Sequence, residues 1–333
     1  LSDAAVIELN DVYKRYGQRL ALGGVSLRIE PGVTGLLGPN GSGKSTLIKS
    51  LMGLVATESG DGHVLGHPWP RSARAIRDLV GYLPEDDCYV AGLQGVESVQ
   101  LGGRLSGLPR LEALRRAHEV MDFCDIGQER YRQVETYSTG MRQKLKFAQA
   151  LVHDPPLIIL DEPTTGLDPG QREALLNRIG VLAKKFGKTI LLSTHILPDV
   201  RQVCDAVVIL VAGRVRLSAS LESMSRPATP ELNLWVEEGV ERLEARVQAE
   251  GIATTRRPPY ELRIVGLEPE DAPRVWGWAN EVGAAIRKLE PARASLEQTF
   301  VDAVREAAAS GELEPRALES SKLAAAEVSH ADH

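Results

Sequence analysis

Aromatic residues make up only 5% of this 333-residue sequence, and no run of about 18 to 20 uncharged apolar residues occurs in it, so no segment spans a bilayer unaided. A membrane role would therefore come through a partner. Cysteine is scarce as well. Cys88, Cys124 and Cys204 are odd in number, far apart and without metal-type spacing, which argues against a disulfide framework and fits a reducing compartment. Excess positive charge is also lacking: 39 Lys and Arg stand against 45 Asp and Glu, a net charge of -6, so no nucleic acid partner is expected. The first residues, Leu1 to Asp11, lack a basic segment followed by an apolar run, and a cytosolic chain without a secretory signal is expected.

What is present is a globular balance, with 43% hydrophobic and 25% charged residues. From Val6 to about Ser218, short apolar runs alternate with longer amphipathic stretches, the pattern of an α/β domain with a mixed or parallel sheet. Val33–Leu37, Leu157–Leu160, Thr189–Ser193 and Val207–Val211 read as buried strands, because they are continuously apolar and bounded by turn residues. Residues 221–230, with Pro227 and Pro230, read as a linker. A first domain over 1–220 is thus expected, then a small α+β domain over 231–306 and a flexible tail over 307–333. In the small domain, Leu232, Leu234 and Val236, and again Leu262 and Ile264, alternate as in half-buried strands. Val275, Trp278, Ala279 and Val282 share a helical face, and Ser295 with Gln298 forms a capping box before Leu296, Phe300 and Val304. Trp276 and Trp278 read as rim and core residues of a small fold.

The chemistry concentrates in two segments. Gly38, Pro39, Asn40, Gly41, Ser42, Gly43, Lys44 and Ser45 match the phosphate-loop pattern G-x-x-x-x-G-K-[ST] directly after an expected strand. Glycines let successive backbone N–H groups turn inward on a phosphate, Lys44 adds a point charge, the Ser45 hydroxyl is suited to magnesium, and Thr46 assists at the helix start. The strand Leu157–Leu160 delivers two carboxylates at its end. Asp161 is placed to hold magnesium through water, and Glu162, one residue on, to act as general base on the attacking water.

Ahead of that strand stands Tyr137-Ser138-Thr139-Gly140-Met141, and with it the chain resembles the ATP-binding subunit of an ABC transporter. The segment is similar to the family's LSGGQ signature with Tyr137, Thr139 and Met141 replacing Leu, Gly and Gln, while Ser138 and Gly140 are kept. The resemblance covers about residues 6 to 218 and implies a P-loop ABC-type ATPase core with a helical subdomain. It implies that Ser138 and Gly140 face ATP bound to a second ATP-binding subunit, that Tyr16 stacks on adenine, and that Asp168, in Gly166-Leu167-Asp168, reaches across the dimer. His195, 34 residues after Asp161, resembles the switch histidine that contacts the γ-phosphate. Where the family has a magnesium-contacting glutamine, Glu85 follows Val80–Pro84, which keeps a ligand oxygen but adds charge. Glu85 together with the Tyr-Ser-x-Gly-Met signature looks like the exporter branch for drug, antibiotic, polysaccharide or similar cargo, and the second domain resembles that branch's accessory extension. The implied cofactors are ATP and Mg2+, and the implied partner is a separately encoded permease that holds the subunit at the cytoplasmic face of the membrane. The alternative, a soluble ABC-type mechanical ATPase, would call for a long heptad-patterned insertion or a second ATP-binding module, and this sequence contains neither. A metabolic P-loop kinase would leave Tyr137–Gly140 without a purpose.

Overall fold

The computed structural model describes residues 5–224, 230–257, 260–291 and 296–310. Two compact units result, one running to Leu221 and resuming at Phe300, the other Glu222–Thr299. The first is built on a six-stranded sheet in the order Arg214–Ser220, Ala206–Val211, Val33–Leu37, Thr189–Thr194, Leu157–Asp161, Val80–Leu83. Every pairing is parallel except that of the edge strand Arg214–Ser220, which folds back on its predecessor. The central strands Val33–Leu37, Leu157–Asp161 and Thr189–Thr194 are buried along their whole length, as continuous apolar runs covered on both faces must be. Their register aligns their C-terminal ends: Leu37 pairs with Thr194, Asp161 with Ser193, and Leu83 with Leu160. Gly38, His195, Glu162 and the loop carrying Glu85 therefore leave the sheet along one edge, the usual place for a ligand in an open parallel sheet.

A second, antiparallel sheet, ordered Arg19–Ile29, Ile7–Tyr16, Ser59–Val64, His67–Trp69, completes the core. The helix Lys44–Leu51 joins the two sheets in one apolar cluster, in which Leu47, Ile48 and Leu51 meet Ile7, Val25, Leu36 and Leu157. The helices Gly95–Leu105, Arg110–Phe123 and Thr139–Leu151 pack on one another as a helical part, and the last of them also lies against Val80–Leu83.

The second unit runs strand Glu231–Glu238, helix Val240–Gln248, strands Thr254–Arg257 and Glu261–Val265, helix Ala272–Val282, strand Ala285–Pro291. This β-α-β-β-α-β path gives an antiparallel sheet in which the first strand lies between the third and the fourth, the split-βαβ arrangement. Leu232, Leu234, Val236, Leu262 and Ile264 form its core with Val275 and Trp278, while Trp276 is surface-exposed. Within the expected linker, Leu221–Met224 forms one helical turn. The helix Leu296–Ala309 buries Leu296, Phe300 and Val304 as the pattern indicated, yet from Phe300 onward it groups with the first unit. An apolar helical stripe specifies that it is covered, not what covers it. The proposed cap Ser295, the prolyl residue Pro227 and the tail beyond 310 lie outside the described residues.

Candidate functional site

The turn after Val33–Leu37 is shaped by contacts that only glycine tolerates. A Cβ on Gly38 would fall 2.2 Å from the Leu210 carbonyl oxygen, and Gly43, at φ +107°, would place one 2.5 Å from that of Ala21. Lys44 follows and folds its chain back over the turn. Its ammonium donates to the carbonyls of Gly38 at 2.8 Å and Pro39 at 3.5 Å and lies 3.3 Å from Glu162 Oε1, with the side chain 6% exposed. The backbone from Asn40 to Thr46 lines a cavity of ≈ 430 Å³, with Tyr16, Arg19 and Ala21 also on its wall and Glu85 and Glu162 facing it. That volume suits a nucleotide-sized ligand. Tyr16 is half exposed, with the Lys14 ammonium 5.1 Å from the centre of its ring.

Adjacent residues put their carboxylates in different environments. Asp161 is buried, accepts a hydrogen bond from Ser193 Oγ through Oδ1, and keeps Oδ2 buried without a hydrogen-bond partner. Burial pushes its carboxyl above the ordinary aspartate value, with hydrogen bonds from Ser193 and Ser45 working against the rise. Glu162 adopts φ +49°, a left-handed conformation that is strained for any residue with a side chain. Its Oε2 lies 2.9 Å from His195 Nδ1. Burial works to raise the Glu162 carboxyl, but the hydrogen bond with His195 and the charge of Lys44 outweigh it and hold the group below the usual glutamate value. The same hydrogen bond raises His195 against the opposing effect of burial.

Ser138, Gly140 and Asp168 do not line this cavity. Ser138 caps the helix Thr139–Leu151, its Oγ accepting from Met141 N at 3.4 Å. Asp168 caps the helix Pro169–Phe186, accepting from Gln171 N at 2.9 Å, and a Cβ on Gly140 would fall 2.3 Å from Gln171 Oε1. Gln143 Nε2 donates to Thr165 O at 3.4 Å, so these two segments form one patch, apart from the cavity of their own chain. Several residues of the site give no signal in the sequence. Arg19 lines the cavity only because the turn after Tyr16 brings it back. Asp199, 1% exposed, bonds Thr164 Oγ1 at 2.7 Å and Arg172 Nε at 2.6 Å, and so ties the segment after Glu162 to the helix after His195.

The sequence model of the family described as "ABC transporter" matches residues 22–165. YxlF of Bacillus subtilis, an uncharacterised ABC transporter ATP-binding protein, is 31% identical over 310 residues, covering 90% of this chain and 99% of its own. The chain belongs to the ABC transporter ATP-binding proteins. A Nod factor export ATP-binding protein I of Cupriavidus metallidurans is 36% identical over 211 residues, 63% of this chain and 69% of that protein. Among solved structures, an ATP-binding subunit of an ABC transporter superposes with a TM-score of 0.60 at 32% identity, covering 66% of this chain and 91% of that one. A dimeric ATP-binding cassette bound to ADP and Pi shares the fold, at 24% identity and a TM-score of 0.60. As an ABC ATP-binding protein, the chain is a transport-coupled ATPase.

Proposed function

We propose that this ATPase pairs with a second ATP-binding subunit, so that Ser138 and Gly140 of each chain complete the nucleotide site of the other. We further propose that the dimer powers a separately encoded permease, as an exporter, at the cytoplasmic face of the membrane. One observation carries this reading: Ser138, Gly140 and Asp168 form a patch outside the cavity walled by the phosphate loop, Tyr16 and Glu162. A Ser hydroxyl and N–H groups at a helix start suit an anion, and here that helix start is not part of the lining of the chain's own nucleotide cavity. The Nod factor export relatives, together with Glu85 and the Tyr137–Met141 signature, support the exporter assignment and a drug, antibiotic, polysaccharide or similar cargo.

Within each cavity, Tyr16 stacks on adenine, the N–H groups from Asn40 to Thr46 cradle the phosphates, and Lys44 pairs with their charge. Glu162 accepts the proton of the attacking water, and His195 reaches the γ-phosphate. A phosphate arriving at Lys44 competes with Glu162 for the ammonium, which weakens one of the interactions that depress the basicity of Glu162. Mg2+ fits the oxygens present, since the unpartnered, buried Asp161 Oδ2, the Ser45 hydroxyl beside it and the cavity-facing Glu85 are a hard donor set. Mg2+ held by these oxygens would supply positive charge against the phosphate oxygens. The test is the ATPase rate of the isolated subunit across its dissociation range. Two-chain sites predict a rate that rises more steeply than protein concentration; strict proportionality would contradict them.

A further inference from the structure

Lys146 lies in the middle of the helix Thr139–Leu151 with 4% of its surface exposed. A buried ammonium is costly unless its hydrogen bonds are met. Its Nζ donates to three successive backbone carbonyls, of Pro84 at 3.0 Å, Glu85 at 2.9 Å and Asp86 at 3.3 Å. One turn earlier, Arg142 Nη1 donates to Asp87 Oδ2 at 2.9 Å, and its guanidinium lies 5.3 Å from the centre of the Tyr89 ring. One face of this helix thus grips the stretch 84–89, which leaves the strand Val80–Leu83 with no sheet or helix of its own to satisfy those carbonyls. Glu85 in that stretch faces the nucleotide cavity, while Ser138, eight residues before Lys146, caps the start of the gripping helix. Eight helical residues make a rigid lever of about 12 Å.

We infer that Lys146 is a positioning residue that joins the Glu85 loop to the Ser138 helix as one piece, so that the state of a chain's own nucleotide site is transmitted to the site it completes on its partner. The inference rests on the proposed function, in which Glu85 and Ser138 serve nucleotides held by different chains. An ammonium is suited to this role because its three donors meet three carbonyls from one point, which holds the loop by its backbone and leaves the Glu85 side chain to the cavity.

The experiment compares full-length parent, Lys146→Met, Lys146→Arg and Ser138→Ala for kcat, KM and Hill coefficient in ATP, with melting temperature measured alongside. In Lys146→Met, kcat is expected to fall about tenfold and the Hill coefficient to drop toward one, while KM stays within about twofold because the phosphate loop and Tyr16 are untouched. Lys146→Arg, which keeps charge and donors, should recover most of the turnover. Should Lys146→Met fail to fold, Lys146→Gln is read the same way. A second readout is the thiol of Cys88, which is exposed in this loop while Cys124 and Cys204 are buried. ATP should alter its labelling rate in the parent but not in Lys146→Met. Parental turnover and cooperativity in a folded Lys146→Met chain, or a loss of kcat and KM together that follows melting temperature alone, would overturn the inference. Parental turnover in Ser138→Ala would overturn the two-chain reading itself and the inference with it. An impaired Ser138→Ala beside an unaffected Lys146→Met would overturn the inference alone.

Discussion

Glu162 is held by the Lys44 ammonium at 3.3 Å and the His195 imidazole at 2.9 Å, from a backbone conformation that few residues accept. Replacing its carboxylate with an amide of the same shape removes the proton acceptor and leaves the phosphate loop intact. Glu162→Gln should therefore bind ATP with near-parental affinity and lose turnover by about a hundredfold or more, measured by ATP titration and single-turnover hydrolysis. Retention of the parental rate within a few-fold would remove Glu162 from the base role. The pair also sets a pH dependence. His195 is raised above 6.5 by Glu162, and Glu162 is held below 4.5, chiefly by His195 and Lys44 against the effect of burial. The stability they share is fully present between those ordinary values. It fades as pH rises through the raised His195 value, and on the acid side as pH falls through the lowered Glu162 value. His195→Gln should accordingly melt furthest below the parent between the ordinary values of 4.5 and 6.5 and approach it as pH rises through the raised His195 value. A gap of constant size across that range would contradict the pairing.

At the scale of elements, what could be read in advance divides by physical cause. The phosphate loop and Asp161-Glu162 are contiguous motifs at the ends of fully buried strands, so their placement is legible in the sequence. Lys146 and Asp199 are not, because their partners lie 60 to 62 and 27 to 35 residues away in sequence and only packing joins them. Neither Thr254–Arg257, which is short, nor Ala285–Pro291, which carries Arg287, Lys288 and Glu290, shows a clean alternation to mark a buried face in the sequence. Two glycines of the site make a paired prediction. The Cβ of Gly38→Ala meets a backbone oxygen at 2.2 Å, whereas that of Gly140→Ala meets the tip of the Gln171 side chain, which can swing away. Gly38→Ala should destabilise by about 1 to 3 kcal/mol in denaturant unfolding. Gly140→Ala should leave stability within about 0.5 kcal/mol and lower turnover instead. Equal losses of stability would contradict the assignment of these two glycines to different duties.

For the whole molecule, the fold accounts for a division of labour. The parallel sheet collects the phosphate loop, Asp161, Glu162 and His195 along one edge, and the helical part presents Ser138 and Gly140 elsewhere on the same unit. Among the described residues no helix is long and apolar enough to cross a membrane. The proposed function has each nucleotide site completed by a second chain. That claim is tested most directly by mixing two inactive variants, Lys44→Ala and Ser138→Ala. If each site joins Lys44 of one chain to Ser138 of the other, the mixed dimer carries both defects in one site and none in the other, and ATPase activity should rise well above the average of the two separate variants. Mixtures whose activity never exceeds that average would contradict a site shared between chains.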